Sequence, residues 1–182
     1  MRLFVAIALP DAVKVSLGDV IGRLRPSAPD EKWVPTQNLH VTISFLGEVQ
    51  DERVASIGET VGEAVATLPP VPTGTAVAGA FPSARRARVL WAGLADDVGR
   101  LTDAARAVIG ALEPIGFPPE KRPWAPHVTL ARFRAPRDAA GLIAAASIPA
   151  ETFTVEAVTL FRSRLARPSP VYEPLAEFPL AG

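Results

Sequence analysis

The chain has 182 residues, enough for one domain with a real core, and its 48% hydrophobic and 21% charged residues fit neither wholesale disorder nor a membrane protein. Basic and acidic residues balance at 19 each, so no overall field grips nucleic acid, although a local basic patch remains open. Cysteine is absent and histidine occurs twice, which removes disulfides, thiolate nucleophiles, iron–sulfur clusters and cysteine-held zinc and fits a cytoplasmic setting.

Met1-Arg2 followed by the apolar run 3–9 has the outline of a short secretory signal. It meets Pro10-Asp11 at once with no small-x-small cleavage pattern, so it reads as a buried strand over 2–9. Pro10-Asp11 then opens a helix with Val13, Leu17, Val20, Ile21 and Leu24 at helical spacing, stopped by Pro26. Residues 38–49 contain a strand from His40 to Leu46. A helix over roughly 51–68 puts Val54, Ile57, Val61, Val65 and Leu68 on one face before Pro69-Pro70 ends it. Strands follow near 73–81 and 88–95. A helix over 97–113 carries Val98, Leu101, Ala105, Val108 and Leu112, and Pro114-Ile115-Gly116 closes it. A proline-rich approach leads to the strand His127 to Ala131, then a short helix near 137–146 and two closing strands near 151–162 and 170–178. No stretch approaches the ~20 apolar residues of a membrane helix. The mixture, with strands adjacent in sequence, predicts an α+β fold with mainly antiparallel sheet. GxGxxG and the phosphate-loop pattern are both missing.

The chain contains an internal echo. His40-Val41-Thr42-Ile43 and His127-Val128-Thr129-Leu130 are near copies and use both histidines. Their approaches echo too: Glu31-Lys32-Trp33 and Pro35 precede the first, Glu120-Lys121, Trp124 and Pro126 the second. Two related lobes across a groove are expected, one motif in each (40–43 and 127–130), within a single domain over 1–182. Strand period puts each histidine on the same face as its threonine. Val41, Ile43 and Phe45, and Val128 with Leu130, supply the apolar opposite face. Imidazole titrates near ~6.5, so one of a pair can accept a proton while the other donates one, and threonine hydroxyls can hold phosphate oxygens. That set suits in-line displacement at phosphorus without a metal. One His-Val-Thr alone is an ordinary strand sequence; two that consume every histidine are not. Two histidines with no obvious carboxylate beside them fall short of a zinc ligand set.

These blocks, with the opening Arg2 to Ile7 and Leu9-Pro10, His40 to Gly47, and Pro126 to Arg132, resemble the 2H phosphoesterase superfamily, in particular the RNA 2′,3′-cyclic phosphodiesterases also described as 2′-5′ RNA ligases. The resemblance covers nearly the whole chain. It implies a two-lobed α+β fold with pseudo-twofold symmetry and a central groove. It implies hydrolysis of RNA 2′,3′-cyclic phosphate ends to 2′-phosphomonoesters with no cofactor or metal, and reverse 2′-5′ ligation. Carried onto this chain, His127 is the general base (proton acceptor), His40 the general acid (proton donor), and Thr42 and Thr129 hold the phosphate.

Arg132 joins the substrate-binding set by the same resemblance, yet strand parity places it with Val128 and Leu130; only a bulge or the strand end turns it inward, and a surface cation is the other reading. Trp33, Phe45 and Trp124 are either base-stacking or core residues. Residues 1–80 hold 6 basic and 9 acidic groups and residues 81–182 hold 13 and 10, so basic clusters at 85–88, 121–122, 132–137 and 162–167 either frame an RNA end or are solvated surface. Two other functions stay open: an RNA-binding module of the same fold without catalysis, and a phosphodiesterase for a small cyclic-phosphate nucleotide. The partner is expected to be an RNA end or such a nucleotide, with no membrane, and a monomer is the working expectation.

Overall fold

A computed structural model describes all 182 residues, Met1–Gly182. The opening strand β1 (Arg2–Ala8) buries Leu3 through Ile7 without a break, because both its faces are covered. Helix α1 (Asp11–Leu24) buries Val13, Leu17, Val20, Ile21 and Leu24, the five positions its spacing selects. The short β2 (Lys32–Trp33), then β3 (His40–Glu48), α2 (Val54–Val65), β4 (Val71–Phe81) and β5 (Ala87–Leu94) follow. The remainder comprises α3 (Arg100–Leu112), β6 (His127–Arg137), α4 (Ala140–Ala146), β7 (Thr152–Val155), β8 (Ala157–Arg164) and β9 (Val171–Pro179).

Every strand pairing is antiparallel, in the order β7-β4-β5-β6-β3-β1-β8-β9 with β2 beside β6. The fold is the expected α+β class. One residue, Glu156, separates the edge strand β7 from β8 at the other end of the sheet, so the sheet must curl until its ends approach. The helices pack in two pairs, α1 with α4 and α2 with α3. Each pair draws one helix from each half of the chain, and the order of elements around β3 (β1, α1, β3, α2) repeats around β6 (β5, α3, β6, α4). A single cluster of 40 buried residues unites both halves into one core. No helix is long and apolar enough to cross a membrane.

Local chemistry moved several expected boundaries. α3 begins at Arg100 because the Asp96 carboxylate accepts the N–H of Leu101 at 2.8 Å and of Thr102 at 2.9 Å, while Gly99 takes a left-handed φ of 75°. Val98 therefore lies outside the helix and is exposed. α4 begins at Ala140, whose N–H is accepted by Asp138 at 2.9 Å, since β6 runs on to Arg137. The closing strand near 151–162 is two strands, split where the chain passes between the sheet ends.

Candidate active site

β3 and β6 lie side by side at the centre of the sheet and are joined at one residue pair, Val41 opposite Val128. Both valines are fully buried. The residues flanking each valine in sequence project to the other face, so the two His-x-Thr pairs come together on one side of the sheet. Small neighbours leave room above them: Ala8 stands opposite His40, Ala6 opposite Thr42 and Gly93 opposite His127.

Each imidazole is held from behind in the same way. His40 Nδ1 donates to the Asn38 carbonyl at 2.7 Å, and His127 Nδ1 to the Ala125 carbonyl at 2.8 Å. A carbonyl only accepts, so the proton of each neutral ring resides on Nδ1 and the lone pair on Nε2. The Thr42 hydroxyl donates to that Nε2 of His40 at 2.9 Å. Aromatic walls surround both rings. Phe4 lies 4.9 Å from His40 and Tyr172 packs edge-on at 5.3 Å; Phe81 packs edge-on to His127 at 5.0 Å. Burial among these rings is the main force pushing both histidines below the ordinary 6.5, with the backbone carbonyls pulling the other way and the Arg132 charge adding to the depression. Tyr172 is pushed up, chiefly by burial, so it remains a neutral phenol.

A cavity of about 370 Å³ opens beside His127, lined also by Thr42, Thr129, Arg132, Phe45, Phe81 and Trp124. His40 faces a neighbouring cavity of about 230 Å³ with Phe4, Phe161 and Tyr172. Thr42 is the link, on the wall of the larger cavity while bonded to His40.

Two bulges explain what strand parity misassigns. Along β6 the register steps from Thr129 opposite Trp91 to Ala131 opposite Leu90, leaving Leu130 as the extra residue. Parity inverts there, Leu130 and Ala131 are both buried, and Arg132 turns to the groove beside His127 and Thr129. Along β3 the register steps from Thr42 opposite Ala6 to Ser44 opposite Val5, so Ile43 is the extra residue. Phe45 is consequently not on the apolar face with Val41 and Ile43; it is 53% exposed and lines the groove.

The other expected residues separate. Trp33 belongs to the core, its indole N–H donating to the Ala28 carbonyl at 2.8 Å. Trp124 lines the larger cavity and donates to the Thr42 carbonyl at 2.8 Å, tying the proline-rich approach to β3. Of the basic clusters, Arg122, Arg132 and Arg134 reach the cavities, with Arg122 stacked over the Phe81 ring at 3.7 Å. Arg137 instead pairs with Glu31 and Arg164 with Glu173. Tyr172, Phe161 and Phe81 surround the histidines unannounced by any motif, because strands far apart in sequence deliver them, while Phe4 comes from the opening strand and Asn38 from the turn just before His40. No group of three or more His, Asp or Glu side chains is placed to hold a metal ion.

A curled antiparallel sheet with paired His-x-Thr strands at its centre defines a two-histidine phosphoesterase architecture. Residues 10–167 match the family model for the 2′-5′ RNA ligase superfamily, and the chain belongs to that superfamily. It is 34% identical to an RNA 2′,3′-cyclic phosphodiesterase of Thermus thermophilus over 100% of this chain and 91% of the relative, and 31% identical to one of Geobacillus stearothermophilus over 98% of this chain. The chain spans only 57% of the length of the Geobacillus relative. Among solved structures, a Thermus thermophilus protein aligns with a TM-score of 0.82 at 30% identity, covering 100% of this chain and 99% of that one. Escherichia coli LigT complexed with 3′-AMP aligns with a TM-score of 0.78 at 28% identity, covering 100% and 98%.

Proposed function

We propose that this protein is an RNA 2′,3′-cyclic phosphodiesterase that opens a terminal cyclic phosphate to a 2′-phosphomonoester without a metal. The observation that carries this reading is the single pairing of Val41 with Val128, which supports two His-x-Thr sets acting on one phosphorus.

In this reading the phosphate rests between Thr42, Thr129 and Arg132, whose hydroxyls and guanidinium take its non-bridging oxygens. His127, neutral with its lone pair on Nε2, accepts a proton from a water whose oxygen bonds to phosphorus. The bond from phosphorus to the 3′ oxygen breaks, and His40 gives that oxygen a proton from Nε2, leaving a 3′ hydroxyl and a 2′ phosphate. His40 must enter the step as imidazolium, and the bound phosphate supplies the negative charge that raises a pKa which burial lowers in the free protein. Proton exchange with solvent returns both rings to their starting states. Ligation runs the same path backwards with the two histidines exchanging roles. We also read the chain as one two-lobed domain with one His-x-Thr motif per lobe, a division that the repeated order of elements about β3 and β6 supports.

The test is hydrolysis of 2′,3′-cyclic AMP in the presence of a chelator, with the product ester position assigned by phosphorus NMR. His40→Ala and His127→Ala should each lower kcat by about 10²–10⁴-fold, the usual worth of a positioned acid or base. Full activity in both variants, or a 3′-phosphate product, rejects the reading.

A further inference from the structure

We propose that the cavity on the far side of Arg132 is a subsite for the phosphodiester adjoining the terminal cyclic phosphate, so that a single-stranded RNA end is preferred over a lone cyclic nucleotide. This rests on the hydrolase reading above and extends it to a surface outside the His-x-Thr groove.

The cavity measures about 580 Å³, larger than the one beside His127. It shares Arg132 with the His127 cavity and Asn38 and Tyr172 with the His40 cavity, so it adjoins both halves of the reaction site. Its walls carry Arg25, Lys32 and Arg134 in addition to Arg132. The sole acid on the wall, Glu31, is already engaged: it accepts the Arg134 backbone N–H at 2.9 Å and pairs with Arg137 at 3.4 Å. None of the four cations lining the cavity forms an ion pair within the chain.

The pairing of β2 with β6 adds a second observation. Lys32 stands directly opposite Arg132 in that pair. Directly opposed residues share a face of the sheet with Cβ atoms about 4.5–5.5 Å apart, and like charges so placed are destabilising. An anion between them converts the repulsion into two charge-assisted contacts. The terminal phosphate engages Arg132 from the groove side; a second phosphate one linkage up the strand meets Arg132, Lys32 and Arg134 from the other. A nucleoside 2′,3′-cyclic phosphate such as 2′,3′-cyclic AMP has no second phosphate to place there.

The experiment compares 2′,3′-cyclic AMP with a short single-stranded RNA ending in a 2′,3′-cyclic phosphate, using wild type and the double variant Lys32→Glu/Arg134→Glu. Wild type should favour the RNA at least tenfold in kcat/KM at low salt. The variant should lose that advantage through KM, with cyclic AMP turnover changed less than twofold, and the salt dependence on RNA should flatten by about 0.7 log unit per log unit for each phosphate that is no longer neutralised. Lys32→Gln/Arg134→Gln should show a smaller effect of the same kind, and serves in its place should the charge reversals fail to fold. An equal fall on both substrates, or an unchanged KM for RNA, overturns the subsite. A wild type that turns over neither substrate overturns the hydrolase reading instead; RNA affinity by fluorescence anisotropy, lowered in the variant or not, then decides the subsite on its own.

Discussion

Phe45 and Arg132 hold the same position in the two central strands, five residues after His40 and His127, and a bulge two residues earlier turns each of them into the groove. The two motifs are nearly identical up to that position and then diverge into an aromatic ring on one strand and a guanidinium on the other. In the proposed reaction this difference gives a pseudo-symmetric site a direction: the guanidinium on β6 draws phosphate, and the ring on β3 offers an apolar face to a base.

Replacing Arg132 tests the charged arm. Arg132→Leu should lower kcat/KM for a 2′,3′-cyclic nucleotide by about 10²–10³-fold, the typical loss when one preorganised donor to a reacting oxyanion is removed. Arg132→Lys should recover only part, because a point charge cannot match a two-pronged contact. Wild-type rates in Arg132→Leu would show that the bulge turns the side chain inward to no catalytic end.

The aromatic arm makes a different demand. Phe45 is exposed, so Phe45→Ala should leave the melting temperature nearly unchanged. Loss of a stacked base is worth about 1–3 kcal/mol, which corresponds to a rise in KM of roughly 5- to 150-fold with little change in kcat. Steady-state kinetics separates the two parameters, and an unaltered KM would remove Phe45 from the binding face.

The protonation behaviour of the site follows from the depressed histidines. In the free protein both imidazoles should titrate below 6.5 by NMR, since burial and the Arg132 charge disfavour their protonated forms. A product such as 2′-AMP should move at least one of them upward. Arg132→Leu, which removes a cation acting on both rings, should raise both midpoints in the free protein. The sign for stability is fixed as well. Each folded-state pKa lies below that of the unfolded chain, so unfolding takes up protons as pH falls through the ordinary histidine range, and stability should decline on going down through 6.5. Stability that rises as pH falls through this range would contradict the buried, cation-flanked environment of the rings.

Much of this was legible in the residues. Five apolar positions of α1 and the two valines of the motifs carried period and burial together, and the repeated His-Val-Thr picked out the two strands that the sheet places side by side. Arg132 and Phe45 were named as candidates, but the side of the strand each takes was not legible. A one-residue bulge inverts strand parity and leaves no mark in the sequence, since Ile43 and Leu130 look like any other buried strand residues. The aromatic ring about His40 was hidden for another reason. Phe4, Phe161 and Tyr172 come from β1, β8 and β9, and only the sheet order brings them together. The Trp echo misled in half: Trp33 anchors the core, whereas Trp124 walls the cavity.

Trp91 and Gly79 give a test of how the His127 side is supported. They face each other across β4 and β5, and a Cβ on Gly79 would run into the six-membered ring of Trp91. The glycine thus lets the indole lie flat across its neighbour, the aromatic cover that edge and strand glycines often require. The ring also touches Phe81 at 5.1 Å and stands 6.3 Å from His127. Gly79→Ala should therefore cost about 1–3 kcal/mol as an overpacked site and lower kcat by crowding Phe81 against the imidazole. Trp91→Leu removes the ring the new methyl would strike, so the double variant should cost less than the two single changes added together. Chemical denaturation of the four proteins closes the cycle. Strict additivity would mean that the glycine serves backbone conformation in β4 and has no part in seating the indole.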